Sequence, residues 1–256
     1  MNGALEHLCC IVCSARKALW EQSKILFVPN SHIRSINFLF AAKFPFRKPV
    51  TARSVEDWFS LCKKRGLQDI KLLLPTSVKD RKLLGFVNNT QGLIVCYWKN
   101  KKTSCFYPVW DYDHQRKGWN ILYTERREIQ FPDDMWHFPC KTDAFQRVLC
   151  EIGEFAKRIG FPYYSEIFHK AQEELYGNNP TEIFSVPPCL PAKFQGIYHA
   201  VATADVFGAM GSWNDSPPYA AQKMGLEEEY NALSDQLFAQ LRYQLMYITN
   251  ECWKRS

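Results

Sequence analysis

From Leu83 to Thr124 the chain is made of short runs of β-branched and aromatic residues, whereas from Pro139 onward its apolar residues step by three and four. This change of period restricts the fold more than any motif does. The runs at 83–87, 93–98, 104–110 and 119–124 read as strands. Their separators, at 88–92, 99–102 and 111–118, are rich in Asn, Lys, Asp and Gly, so the pattern predicts an antiparallel meander. The third separator is the longest and is a candidate functional loop. A further strand is expected at 70–74, closed by Pro75.

Helices are expected on either side of the strands. Ser54-Val55-Glu56-Asp57 places a capping hydroxyl ahead of Val55, Trp58, Phe59 and Cys62, with Gly66 as the stop. Residues 4–22 and 31–42 also read as helical, separated by Pro29-Asn30-Ser31. Downstream, Thr142-Asp143 precedes a stripe of Phe145, Val148, Leu149, Ile152, Phe155, Ala156 and Ile159, and a second helix is expected over 162–176. The linker Pro187-Pro188-Cys189-Leu190-Pro191 is stiff. A helical pair should follow it at 194–210 and 225–253. In the second member Leu226, Tyr230, Leu233, Leu237, Leu241, Leu245 and Ile248 form an apolar stripe, and Glu227, Glu228, Glu229 and Asp235 an acidic side.

The order of elements indicates an α+β fold: N-terminal helices, a four- to five-stranded antiparallel meander, then helices and a C-terminal helical hairpin. The expected organisation is an α+β body over 1–186 and the hairpin over 192–256, packed together as one globular unit. Hydrophobic residues at 46% are sufficient for a sizeable core.

Charge narrows the choice of partner. The net +6 divides unevenly: residues 1–128 hold 22 Lys and Arg against 10 Asp and Glu, and residues 129–256 hold 10 against 16. The basic half suits a polyanion or an acidic protein. The ten cysteines sit mostly in apolar runs, as reduced thiols of a cytoplasmic protein do. The six apolar residues Leu8 to Cys13 are too few for a signal peptide, and no run approaches a membrane span, so no membrane partner is expected.

Few residues suggest chemistry. Asp111, Asp113 and His114, with Glu125 on the neighbouring strand, could bind a divalent ion or perform acid–base catalysis; the alternative is a solvated turn. Cys10-Ile11-Val12-Cys13 lacks the second pair of a zinc ribbon, and His137 and Cys140 are close only in sequence. No metal site and no cofactor are expected, and catalysis stays open. The basic residues of the turns, with Trp98, Tyr112 and Trp119 as stacking partners, could converge into one patch that binds single-stranded nucleic acid.

Phe207-Gly208-Ala209-Met210-Gly211-Ser212-Trp213-Asn214-Asp215 is the most distinctive stretch. Its glycines permit close packing and a left-handed exit from a helix, and Ser212, Asn214 and Asp215 can bond backbone groups. It resembles the F-G-G-M-G-S-(aromatic or Leu)-N-D signature of small, uncharacterised helical bacterial proteins, some of them similar to immunity-type proteins from toxin loci. The resemblance covers about residues 196–253, with Ala209 in place of the second glycine. It implies a bacterial origin, a helical C-terminal region and a protein-binding role. The sequence thus suggests a non-catalytic bacterial protein that binds another macromolecule, an acidic protein partner or the toxin of an immunity-type inhibitor; the alternatives are a nucleic-acid binder or nuclease using the basic N-terminal half, and a hydrolase with a carboxylate/His site. Trp110, Tyr112, Arg116, Lys117, Trp119, Trp213, Asn214 and Asp215 are the candidate binding residues.

Overall fold

Ile36, Phe38 and Phe40 recur at every second position, with Asn37 and Leu39 between them, and what forms there is a strand. In the computed structural model, which describes residues 3–42, 49–76, 92–127, 129–131, 133–177, 186–208 and 210–253, the helix expected over 31–42 is therefore replaced by β1, Ile33–Phe40. Ile36, Phe38 and Phe40 are buried and the intervening Asn37 and Leu39 are half-buried, the pattern of a strand with one face on the core.

The other strands are β2 (Val50–Ala52), β3 (Leu67–Leu73), β4 (Leu93–Trp98), β5 (Thr103–Asp113) and β6 (Gly118–Arg127), in the spatial order β2-β1-β6-β5-β4-β3. The meander β3-β4-β5-β6 is antiparallel as expected, but β1 lies parallel to β6, from Ile33 opposite Trp119 to Leu39 opposite Thr124. The sheet is accordingly mixed and six-stranded rather than an antiparallel meander of four or five strands. The strand expected at 83–87 lies outside the described residues.

Seven α-helices complete the described chain: α1 (Gly3–Trp20), α2 (Val55–Lys64), α3 (Thr142–Arg158), α4 (Pro162–Tyr176), α5 (Ala192–Ala204), α6 (Ser216–Lys223) and α7 (Glu227–Glu251). Ser54 caps α2 as its sequence predicts, its Oγ accepting from the Asp57 N–H at 3.1 Å. Helix α2 then buries Val55, Trp58, Phe59 and Cys62. Trp58 stacks on Phe38 at 4.6 Å, and Phe38 stacks on Tyr123 at 4.7 Å, with Phe106 edge-on to Phe38. These rings join helix and sheet into the centre of the core.

The C-terminal region holds three helices rather than two. The expected helix over 194–210 ends at Ala204, and the short α6 intervenes before α7. The stripe of α7 faces inward: Tyr230, Leu233, Leu237, Leu241, Leu245 and Ile248 are buried among residues of α1, α3 and α5. Its last turns also cover the β3 edge of the sheet. Asn250 Oδ1 accepts from the Leu72 N–H at 2.8 Å, and its Nδ2 donates to the Leu72 carbonyl at 2.9 Å. The Leu74 N–H meets Met246 Sδ, and Arg16 donates to the Ile70 carbonyl. Side chains thus stand in for a neighbouring strand, which closes an edge open to unwanted pairing. No helix among the described residues is long and apolar enough to cross a membrane.

Candidate functional site

Strands β5 and β6 form a long hairpin closed by a tight turn at 114–117, so the long loop expected over 111–118 is mostly strand. Asp113 shapes the turn. Its Oδ1 accepts from the N–H groups of Arg116 and Gln115 at 2.9 and 3.0 Å, and the Arg116 bond in particular holds the carboxyl below its ordinary range. Arg34 on β1 donates to the carbonyls of Arg116 and Lys117 from outside. Gly118 is needed at this crossing: a Cβ there would sit 2.7 Å from the His32 carbonyl oxygen.

Side chains alternate across the hairpin. Trp110 and Tyr112 share the core-side face of β5, and Trp119 stands opposite Tyr112 on β6. The Trp119 ring is 5.0 Å from Tyr112 and 6.0 Å from Trp110, and His114 lies edge-on to Tyr112 at 5.0 Å. Three of the expected binding residues therefore meet, beside Arg116 and Lys117 of the turn. At this end the rings extend past the core, and Tyr112 is 38% exposed.

Two residues without any local sequence signal complete the cluster. His7 of α1 lies edge-on to Trp110 at 5.7 Å and to Phe27 at 5.2 Å. Its Nδ1 is 3.1 Å from the Tyr123 hydroxyl, and burial pushes its pKa down to about 4, so the imidazole is neutral at pH 7. His7 Nε2 and Trp110 Nε1 are both buried and have no hydrogen-bond partner among the described residues. In the same extended segment as Phe27, Leu26 and Val28 are 83% and 86% exposed. The arrangement offers stacking surfaces and aliphatic contacts with cations at the rim, while the Trp110 indole N–H and the His7 imidazole lie beneath it.

The carboxylate–histidine constellation does not assemble. Asp111 and Asp113 point to the face of β5 opposite Tyr112, whereas Glu125 pairs with Phe106 on the core-side face. Five residues of β6 separate Glu125 from Asn120, the partner of Asp111, a span of roughly 17 Å. Glu125 is buried and structural. Its Oε2 accepts from the Ala41 N–H at 2.9 Å and from Arg127 Nε at 3.3 Å, with Arg65 at 3.8 Å. Among the described residues no group of three His, Cys, Asp or Glu side chains is arranged to hold a metal ion. His137 is exposed, and the Cys140 sulfur bonds to Thr142.

The basic turns do not form one patch either, because successive turns of a meander fall at opposite ends. Lys99, Lys101 and Lys102 at the β4–β5 turn join Lys63, Lys64 and Arg126 at one end; Arg34, Arg116 and Lys117 lie at the other. Trp98 belongs to the first end, where its Nε1 donates to Ser104 Oγ at 3.0 Å. The basic residues at 79, 81 and 82 and at 47–48 lie outside the described residues.

Trp213 is an internal anchor, not the surface residue expected. It is fully buried, donates from Nε1 to Ser234 Oγ at 2.8 Å, stacks on Tyr230, and meets Tyr164 and Phe168 edge-on. Around it Gly211 adopts φ +78°, its N–H donates to Asp215 Oδ2 at 2.9 Å, and Ser212 Oγ accepts from the Asn214 N–H at 3.2 Å. Asn214 and Asp215 are thus placed at a helix-to-helix corner that belongs to the helical layer, apart from the hairpin. A shallow groove of about 600 Å³ between α3 and α7 is bordered by the Arg158–Glu229 and Lys157–Glu154 ion pairs.

No protein-family model, curated protein or solved structure matches the chain.

Proposed function

We propose that the chain is a non-catalytic binding protein whose partner is another protein, engaged through the distal end of the β5–β6 hairpin. The observation that carries this reading is the Tyr112–Trp119 pair, held ring to ring at 5.0 Å across a rigid hairpin and half-open to solvent. Rigid aromatics lose little entropy on binding and dominate interface energies. Leu26 and Val28 supply further exposed apolar surface. Arg34, Arg116 and Lys117 at the rim favour a partner with an acidic contact surface. An immunity-type role toward a toxin, a bacterial source and a cytoplasmic location belong to the same proposal; the stretch 207–215 supports the first two, and the ten free cysteines support the third.

The test is capture with the products of genes neighbouring its own, followed by titration with Tyr112→Ala and Arg116→Ala. Saturable binding weakened by both variants supports the reading; binding that neither variant alters refutes it. A second reading has its own observation, the gathering of Lys63, Lys64, Lys99, Lys101, Lys102 and Arg126 at the opposite end of the sheet. If that end binds nucleic acid, affinity for labelled RNA or DNA falls steeply as salt rises, and Lys99→Ala with Lys101→Ala reduces the slope. Absence of binding at low salt eliminates it.

A further inference from the structure

One edge of the sheet is closed by side chains, while a stretch of extended backbone beside the hairpin is left open. At β3, Asn250, Met246 and Arg16 engage the main-chain groups of Leu72, Leu74 and Ile70. Between α1 and β1 the backbone has no such cover. Among the described residues, the N–H groups of Lys24, Ile25, Leu26, Phe27 and Val28 have no hydrogen-bond partner. Of their carbonyls only that of Lys24 accepts a bond, from the Ser23 hydroxyl at 3.3 Å.

The segment nevertheless has the character of a strand. Ile25 is buried, Leu26 exposed, Phe27 half-buried and Val28 exposed, an alternation of period two that extended backbone produces. Both ends are pinned. The Ser23 N–H donates to the Ala18 carbonyl at 2.9 Å, and the Asn30 carbonyl accepts from the Ile33 N–H at 2.9 Å where the chain turns into β1. Between them Ile25 joins the core, and Phe27 lies edge-on to His7 at 5.2 Å, which ties the segment to the aromatic cluster. In a strand, each residue directs its N–H and C=O to one edge, and successive residues alternate edges. Lys24, Leu26 and Val28 therefore share an edge, and Ile25, Phe27 and Pro29 share the other. Pro29 has no N–H, so the first edge offers the longer ladder.

We propose that residues 24–28 are where the protein partner adds a β-strand, bonding the free N–H and C=O groups of Lys24, Leu26 and Val28. The occupant is an extended segment with apolar, β-branched side chains at alternate positions, which pair across the strands with Leu26 and Val28. Carboxylates at one end of it meet Arg34, whose Nη1 donates to the Ser31 carbonyl at 3.4 Å just past the segment, and the exposed Arg116 of the neighbouring turn. The inference rests on the reading of the distal hairpin as a protein-binding end and adds the form of the partner there. Main-chain bonds supply affinity, and the side chains beside Leu26, Val28 and the hairpin rings supply selectivity.

The probe is a fluorescein-labelled peptide of alternating valine and threonine that ends in a pair of aspartates, titrated into the full chain by fluorescence anisotropy. Saturable binding with a Kd below about 1 mM is expected. The Leu26 and Val28 amides should exchange hydrogen fast in the free chain and about tenfold more slowly with peptide bound. Two further peptides carry N-methyl groups, one at its valines and the other at its threonines. Only one edge of the added strand meets the segment, so one of these should bind about tenfold more weakly and the other as well as the parent. Leu26→Pro removes an N–H that has no partner in the free chain, so the urea midpoint should hold while peptide affinity falls about tenfold. No saturable binding, equal affinities of the two methylated peptides, or Leu26 and Val28 amides already protected in the free chain would overturn strand addition. The two readings fail separately. A partner captured from neighbouring gene products that is weakened by Tyr112→Ala but not by Leu26→Pro refutes strand addition alone, and the reverse result refutes the hairpin reading alone.

Discussion

Replacing Asn250 by Leu should destabilise the fold more than its near-isosteric size suggests. The Asn250 amide satisfies both the N–H and the carbonyl of Leu72 at 2.8 and 2.9 Å, at the outer edge of β3, where both residues are buried. A leucine at this position fills the space and bonds neither group. Each buried backbone group left without a partner costs about 1–3 kcal/mol, so the loss is roughly 2–5 kcal/mol after allowance for the leucine's own burial. With a urea m-value of roughly 3 kcal/mol/M for a chain of this size, the unfolding midpoint should fall by about 0.7–1.7 M. Asn250→Asp adds a sharper test. A carboxylate accepts from the Leu72 N–H but cannot donate to its carbonyl, whereas the protonated acid does both. The folded-state pKa of that new carboxyl should therefore be raised, so its contribution is present below the unfolded value of about 3.9 and is lost as pH rises through the folded value. A midpoint shift under about 0.3 M for Asn250→Leu, or no recovery of Asn250→Asp relative to wild type in acid, would refute the edge-capping role.

Three further outcomes follow from the same geometry. His7 titrates at about 4 rather than 6.5, so the unfolded chain binds the extra proton between those values and stability falls as pH drops from 6.5 to 4. The loss approaches about 3 kcal/mol, and His7→Phe should flatten that part of the urea-midpoint profile. Trp213→Ala should cost about 3–5 kcal/mol by cavity formation and Trp213→Phe about 1–2 kcal/mol by leaving Ser234 unpaired, both read from thermal or urea unfolding. Asp113→Ala should lower the Tm through the lost turn bonds, and divalent ions should leave the Tm of wild type and variant equally unchanged. An ion-dependent Tm in wild type alone would restore the metal reading of Asp111, Asp113 and His114.

Features that depend on local order were legible in the sequence. The Ser54 cap, the buried faces of α2, α3 and α7, and the meander from β4 to β6 all follow from spacing within a few turns or strands. The helical expectation for 31–42 failed because the run is short and Leu39 interrupts the polar and apolar alternation around Ile36, Phe38 and Phe40, so the pattern fits either period. The parallel pairing of β1 with β6 is non-local and leaves no trace in either segment. At the hairpin, Trp110, Tyr112 and Trp119 could be brought together by pairing register alone. His7 could not, since α1 reaches the cluster only through tertiary packing. Glu125 was misplaced for a simple reason: five residues along a strand and one change of face separate it from Asp111, however close they look in a hairpin drawn flat. Trp213 was judged by residue type as an interface anchor, but the corner built by Gly211, Ser212 and Asp215 turns it inward.

The central claim is that the distal hairpin binds a protein partner through Tyr112 and Trp119. Calorimetric titration of the captured partner into wild type and Tyr112→Ala, both shown to unfold at the same urea midpoint, tests it most directly. The expected loss is about 2 kcal/mol or more, a rise in Kd of roughly thirtyfold. An unchanged Kd would place the interface elsewhere and contradict it.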